Sequence, residues 1–137
     1  MIIIILRVSS KIQEINAFIN NLKDFLDRDG FDIDNDFVLI SKHKYGEDEQ
    51  YSTPYTLLDL DYSIEDVVEQ LRHLTIAEYV ETRIDKDDLA PPILFIFGKI
   101  INGHTVYIKL KIKGEPANRV VCVSFHYAKE GFVFPFK

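Results

Sequence analysis

Tyr107, Lys109, Lys111 and Lys113 stand at alternate positions in Thr105-Val-Tyr-Ile-Lys-Leu-Lys-Ile-Lys113. Alternation of polar and apolar residues is the signature of a half-buried β-strand. Val106, Ile108, Leu110 and Ile112 are therefore expected to face a core, and the tyrosine and the lysines to share the opposite face. A core strand needs a dry side but not a row of cations on its wet side. A second run, Arg119–Tyr127, carries Ser124 and His126 at the same two-residue spacing. Placed beside the first, it adds an imidazole that exchanges protons near neutral pH.

Such a set suits phosphodiester chemistry that uses the substrate's own 2′-hydroxyl. Cutting RNA in this way needs a base for that hydroxyl, cations for the charge gathering on phosphate, and an acid for the departing 5′-oxygen. His126 fits proton transfer, Lys109 fits charge stabilisation, and Tyr107 can orient or donate. Lys111 and Lys113 extend the row as phosphate contacts, and the scheme calls for no cofactor and no metal.

The elements that must hold these residues follow from turn chemistry. Ile93–Ile101 and His104–Lys113 flank Asn102-Gly103, a two-residue hairpin signal whose turn positions both need positive φ. That turn opposes Phe97 to Ile108, Phe95 to Leu110 and Gly98 to Tyr107, so Gly98 should leave an unfilled place beside the tyrosine ring. Gly114-Glu-Pro-Ala-Asn118 is a longer turn into Arg119–Tyr127, completing a three-stranded antiparallel meander. Placing Val121, Val123 and Phe125 inside sends Val120, Cys122, Ser124 and His126 to the lysine face. The longer turn does not fix the register of this second hairpin: a pair sum near 233 sets His126 across from Tyr107 and Ser124 across from Lys109, and a shift of two keeps the faces but changes these neighbours. The Phe132–Phe136 tail is expected over an edge or end of the sheet.

Upstream, Ile12, Ile15, Phe18 or Ile19, Leu22, Phe25 and Leu26 recur at helical spacing over Lys11–Arg28, with Ser9 or Ser10 as cap and Gly30 as stop. Met1–Leu6 is apolar but too short to span a membrane, and reads as a buried strand or the lead-in to that helix. Asp32, Asp34 and Asp36 imitate the opening of a calcium loop, but Phe37-Val-Leu-Ile replaces the glycine and distant glutamate such a loop requires. Phe37–Ser41 reads as a short strand, Lys42–Thr53 as a polar loop, and Tyr55–Leu60 as a second strand or extended run. Ser63-Ile-Glu-Asp66 resembles a capping box opening a helix with Ile64, Val67, Val68 and Leu71 on one side, and His73 complements its far end. Thr75 caps a further helical turn, and Glu81–Leu89, closed by Pro91-Pro92, reads as a charged loop.

The fold class is thus α+β, an antiparallel sheet packed against two or three N-terminal helices. At 137 residues, with no linker or repeat, a single domain over 1–137 is the simplest account. One cysteine excludes an internal disulfide and fits a reducing cytosol. The net charge of −6 hides an asymmetry, because residues 1–92 carry −11 and residues 93–137 carry +5. The basic third can attract a phosphate chain or an acidic partner. This leaves two functional classes open, an RNA-cleaving enzyme and a non-catalytic binding module whose basic sheet face docks an acidic protein or RNA.

Leu74-Thr-Ile-Ala-Glu-Tyr79, Phe95-Ile-Phe-Gly98, Ile101-Asn-Gly-His-Thr-Val-Tyr-Ile-Lys-Leu-Lys-Ile112, Cys122-Val-Ser-Phe-His126 and Phe134-Pro-Phe136 together resemble the MqsR-type toxins of bacterial type II toxin-antitoxin modules. The resemblance covers residues 55–137, leaving 1–54 as an N-terminal helix and variable region. It implies a RelE-like α+β fold, metal-independent endoribonuclease activity on messenger RNA in the cytoplasm, and neutralisation by a cognate antitoxin protein. By position, Tyr107 matches the family's catalytic tyrosine, Lys109 the lysine after it, and His126 the basic residue of the last strand. Glu81 stands where the best-known branch has a lysine, and Ile96 near its glutamine.

Overall fold

The structure, a computed structural model, describes residues 7–8, 12–41, 48–84, 93–114 and 116–137. The apolar start Met1–Leu6, the caps proposed at Ser9 and Ser10, the loop residues Lys42–Glu47 and Pro91-Pro92 lie outside the described residues.

Among the described residues six strands form one sheet: β1 Arg7–Val8, β2 Phe37–Leu39, β3 Tyr79–Ile84, β4 Ile93–Ile101, β5 His104–Lys113 and β6 Arg119–Tyr127. Their order is β1-β3-β4-β5-β6-β2. All neighbours are antiparallel except β2, which runs parallel to β6 and closes that edge. The helices are α1 Ile12–Asp27, α2 Ile33–Asp36, α3 Thr53–Leu60 and α4 Ile64–Arg72. The class is α+β, as the alternation and helical spacing imply.

The β4–β5 hairpin has the expected register. Ile101 pairs with His104, Gly98 with Tyr107, Phe97 with Ile108 and Phe95 with Leu110, while Asn102 and Gly103 both adopt positive φ. Beneath it α1 supplies Ile15, Ile19, Leu22, Phe25 and Leu26 to the core. Phe18 of α1 stacks on Phe95 with 4.0 Å between centroids. Each such side chain taken fully out of water contributes about 1.5–3 kcal/mol. Ile12 and Ile64, assigned to apolar helix faces by spacing, are exposed instead; both lie in the first turn of their helices.

Four expectations need correction. Tyr55–Leu60 is helical, being part of α3. Ser52 caps it by accepting from the Tyr55 backbone N–H, Pro54 sits in its first turn, and Asp61 ends it in the left-handed region. Two threonines of α3 serve the sheet directly. Thr53 Oγ1 accepts from Phe125 N–H at 3.3 Å and Thr56 Oγ1 from Tyr127 N–H at 3.0 Å. Both amides lie beyond the stretch of β6 that β2 pairs, so side-chain oxygens replace a strand partner.

The polar reading of the run up to Thr53 also fails at its end. Asp48 caps a 3₁₀ turn over Glu49–Tyr51, and Ser52 and Thr53 are buried. The start of the supposed charged loop, Glu81–Ile84, lies in β3, where a bulge at Val80 separates the pairs Tyr79–Phe97 and Glu81–Ile96. Alternation is present there, Thr82 pointing inward to the Tyr79 hydroxyl at 2.7 Å while Glu81 and Arg83 point outward.

The fourth correction concerns β6. Lys109 pairs with Ser124, but the next pair is Leu110 with Cys122, so the register skips Val123. A bulge of one residue reverses the facing of everything on one side of it. Val120 and Cys122 consequently join the core cluster, whereas Val121 lies beside Lys111 on the other face. From Ser124 onward the expected facing holds.

The acidic run is consumed locally. Asp32 caps α2 by accepting from Asp34 N–H, and Asp36 accepts from Asp32 N–H at 2.9 Å and from Arg28 Nη2 at 3.1 Å. The backbone bond from Asp32, helped by the Arg28 guanidinium, holds the Asp36 carboxyl below the usual carboxylate range.

Candidate active site on the outer sheet face

Register converts the strands into rows across the face opposite the helices. One row reads Gly98, Tyr107, His126; the next Glu81, Ile96, Lys109, Ser124; the third Arg83, Leu94, Lys111, Val121. Tyr107 and His126 are direct partners, with rings stacked at 5.1 Å and 14° from parallel. Lys109 Nζ lies 5.8 Å from the Tyr107 ring centroid, a cation–π arrangement.

His126 Nδ1 lies 2.9 Å from the carbonyl oxygen of Tyr127. A carbonyl only accepts, so Nδ1 carries the proton, and in the neutral ring Nε2 keeps the lone pair. That is the tautomer a general base requires.

These two rings form part of the wall of a cavity of about 550 Å³, which Val80, Glu81, Arg83 and Phe132 also line. The segment after β6 closes it through Ala128, Lys129, Glu130 and Gly131, and Asp48 and Tyr51 reach it from the capped 3₁₀ turn. Arg83 Nη2 and Glu81 Oε1 are paired at 2.7 Å. The wall thus mixes cations with carboxylates, and the Arg83 guanidinium offsets the carboxylate nearest to it.

The place expected to stand empty at Gly98 is filled. A Cβ there would lie 2.6 Å from Phe132 Cδ2 and 3.1 Å from Phe134 Cε1. The aromatic tail therefore packs on the outer face rather than over an edge, and Phe132 also meets Tyr107 at 5.8 Å. Only Phe136 reaches Tyr79, at 5.9 Å.

The expected residues separate into two groups. Tyr107, His126 and Gly98 share a row, with Lys109 and Ser124 in the row beside it. Lys111 and Lys113 belong to rows further along. Lys111 is only 7% exposed, and Leu94, Ile96 and Val121 on the same side of the sheet are buried as well. The far part of the lysine row is therefore no open shelf, and Ile96 is sealed from any ligand.

Arg83 and Lys129 are the site cations that sequence reasoning did not single out. Glu81-Thr-Arg83 carried the signal for the first, as an alternation within a strand. Lys129 had none, since it depends on how the chain turns after Tyr127.

Among the described residues no three His, Cys, Asp or Glu side chains come together as a metal-holding group. No described helix is long and apolar enough to cross a membrane. Comparison with protein-family models, with curated proteins and with solved structures finds no match for this chain.

Proposed function

We propose that this chain is a metal-independent endoribonuclease of the MqsR toxin type, RelE-like in fold, cutting messenger RNA in the cytoplasm and held in check by a cognate antitoxin. The observation that carries the reading is the pairing of Tyr107 with His126 on a cavity wall that also bears Arg83 and Lys129.

In this mechanism His126 Nε2 removes the 2′-hydroxyl proton, and the resulting oxygen attacks the adjacent phosphorus. The P–O5′ bond breaks, leaving a 2′,3′-cyclic phosphate on one fragment. The Tyr107 hydroxyl donates a proton to the departing 5′-oxygen. Lys109, one row away, and Arg83, on the wall, stabilise the charge on the crowded phosphate. Ser124 stands beside Lys109 in the next row, Gly98 seats the Phe132 ring that walls the cavity, and Lys113 guides the chain's approach. Lys111 lies behind them and adds positive potential rather than contact. Arg83 carries a cation on the strand where Glu81 takes the place of the family's lysine.

The test is incubation of the purified chain with messenger RNA in the presence of a chelator, scoring fragments that end in 2′,3′-cyclic phosphate. Absence of such fragments with the wild-type chain, or their formation at an undiminished rate by His126→Ala, rejects the proposal.

A second reading, binding without cleavage, draws support from the burial of Ile96 and Lys111 at positions a nuclease of this type would use. In that case the basic face docks an acidic protein or RNA. Expression separates the two, because a toxin arrests growth and a binding module does not.

A further inference from the structure

A second cavity, of about 320 Å³, opens where β5 begins and β6 ends, and Tyr51, Tyr55, His104 and Tyr127 contribute rings to its wall. Gln50, Asp59 and Thr105 also line it. His104 stacks on Tyr127 at 4.5 Å and Tyr55 meets Tyr127 edge-on at 6.4 Å. The Tyr127 hydroxyl donates to Asp59 Oδ2 at 2.7 Å, which fixes the carboxylate and leaves it further lone pairs for a donor from outside. Neither the nuclease reading nor the binding-module reading uses any of these groups except Tyr51.

Ring faces and a held carboxylate suit a planar cation. The surroundings favour that sign. The wall itself carries the Asp59 carboxylate and no Lys or Arg, and Gln50 on it follows Asp48 and Glu49, so a cation is attracted to the Asp59 side. The molecule already contains the same chemistry nearby, with Lys129 Nζ 5.5 Å from the Tyr51 ring centroid.

We infer that this cavity takes an arginine side chain from a basic segment of a protein partner, the guanidinium lying against the tyrosine and histidine rings and donating to Asp59. Tyr51 and Ala128 wall both cavities, so a partner anchored in this way sits at the rim of the first. The anchoring does not depend on whether that first cavity cleaves RNA.

The test uses the full chain and the peptide acetyl-Gly-Arg-Gly-amide, with the citrulline peptide as its neutral counterpart and guanosine monophosphate as the nucleic-acid control. Ring signals of Tyr55, His104 and Tyr127 are followed by NMR. The arginine peptide should shift them saturably, and the citrulline peptide should bind at least tenfold more weakly. Asp59→Asn should weaken arginine binding at least tenfold while keeping an oxygen to accept from Tyr127. Tyr55→Leu, at a residue 38% exposed, provides a second variant with the same expected loss. Equal response to the two peptides, no saturable shift, unchanged affinity in both variants, or a response to guanosine monophosphate instead would overturn the assignment.

Discussion

The His126 ring lies parallel to that of Tyr107 because the two residues are cross-strand partners, so the β5–β6 register itself sets their 5.1 Å separation. Proton transfer by a positioned side chain contributes about 10²- to 10⁴-fold to rate. His126→Ala and Tyr107→Phe should each slow RNA cleavage within that range. Thermal midpoints should stay near that of the wild type, since neither residue belongs to the core cluster. Loss of cleavage together with loss of folding would place the pair in structure rather than chemistry.

Lys109 and Lys111 are predicted to behave differently although they are two residues apart. Lys109→Ala should reduce cleavage and RNA affinity, and flatten the dependence of log affinity on log salt by roughly 0.7, the value for one phosphate contact on a single strand. Lys111→Met should leave that slope unchanged. Filter-binding titrations at several salt concentrations measure both, and equal slopes for the two variants would contradict the division.

Gly98→Ala brings a methyl group to within 2.6 Å of Phe132. Replacing a strand glycine ordinarily gains about 0.5–1 kcal/mol, but overpacking costs about 1–3 kcal/mol, so the clash should win. The tail, half-exposed at Phe132 and Phe134, gives way before the sheet does. The expected result is earlier proteolysis after β6 and loss of the NMR contact between Phe132 and Tyr107, with the core signals retained.

Burial, and then the hydrogen bond to the Asp59 carboxylate, push the Tyr127 phenol up to about 12. A raised value means the folded state favours the neutral phenol. The stabilisation is complete below an ordinary tyrosine's pKa of about 10 and is lost as pH rises through the folded value. Stability should therefore fall between about pH 10 and 12, and Tyr127→Phe should remove that part of the fall. Denaturant midpoints across this range give the comparison.

Cys122 is fully buried, and its Sγ lies 3.3 Å from the Ser124 carbonyl oxygen. Burial drives its thiol pKa far upward, which suppresses the thiolate that reacts. A thiol reagent should leave the native chain unlabelled and modify it only on unfolding in guanidinium. Rapid native labelling would show that the β6 bulge does not turn this residue inward.

The hairpin was readable because its determinants are local. Asn102-Gly103 names the turn, and strict alternation in Thr105–Lys113 then assigns both faces, so the Gly98–Tyr107 and Phe97–Ile108 pairs were within reach of sequence, whereas the longer Gly114–Asn118 turn left the β5–β6 register open by two. What escaped depends on distant partners. Nothing in Arg119–Tyr127 marks Val123 as the skipped residue. The Tyr55–Leu60 helix was hidden by β-compatible residues, although Ser52-Thr-Pro54 held its start signal. Glu81 and Arg83 read as loop because the charged run continuing to Leu89 and Pro91-Pro92 hid their short alternation, and their pairing is visible only in space.

The bulge at Val123 gives β6 two parities. Toward the turn the odd-numbered residues Arg119 and Val121 look outward; toward the tail the even-numbered ones do, and they include the imidazole. The identity of the skipped residue matters less than the fact of skipping, because any single residue there keeps the two halves out of phase. An unbroken ladder that kept His126 on the cleft side would carry Val120 and Cys122 out of the core and turn Val121 into it. The skipped residue is what lets one strand keep an imidazole in the cleft and a thiol in the core.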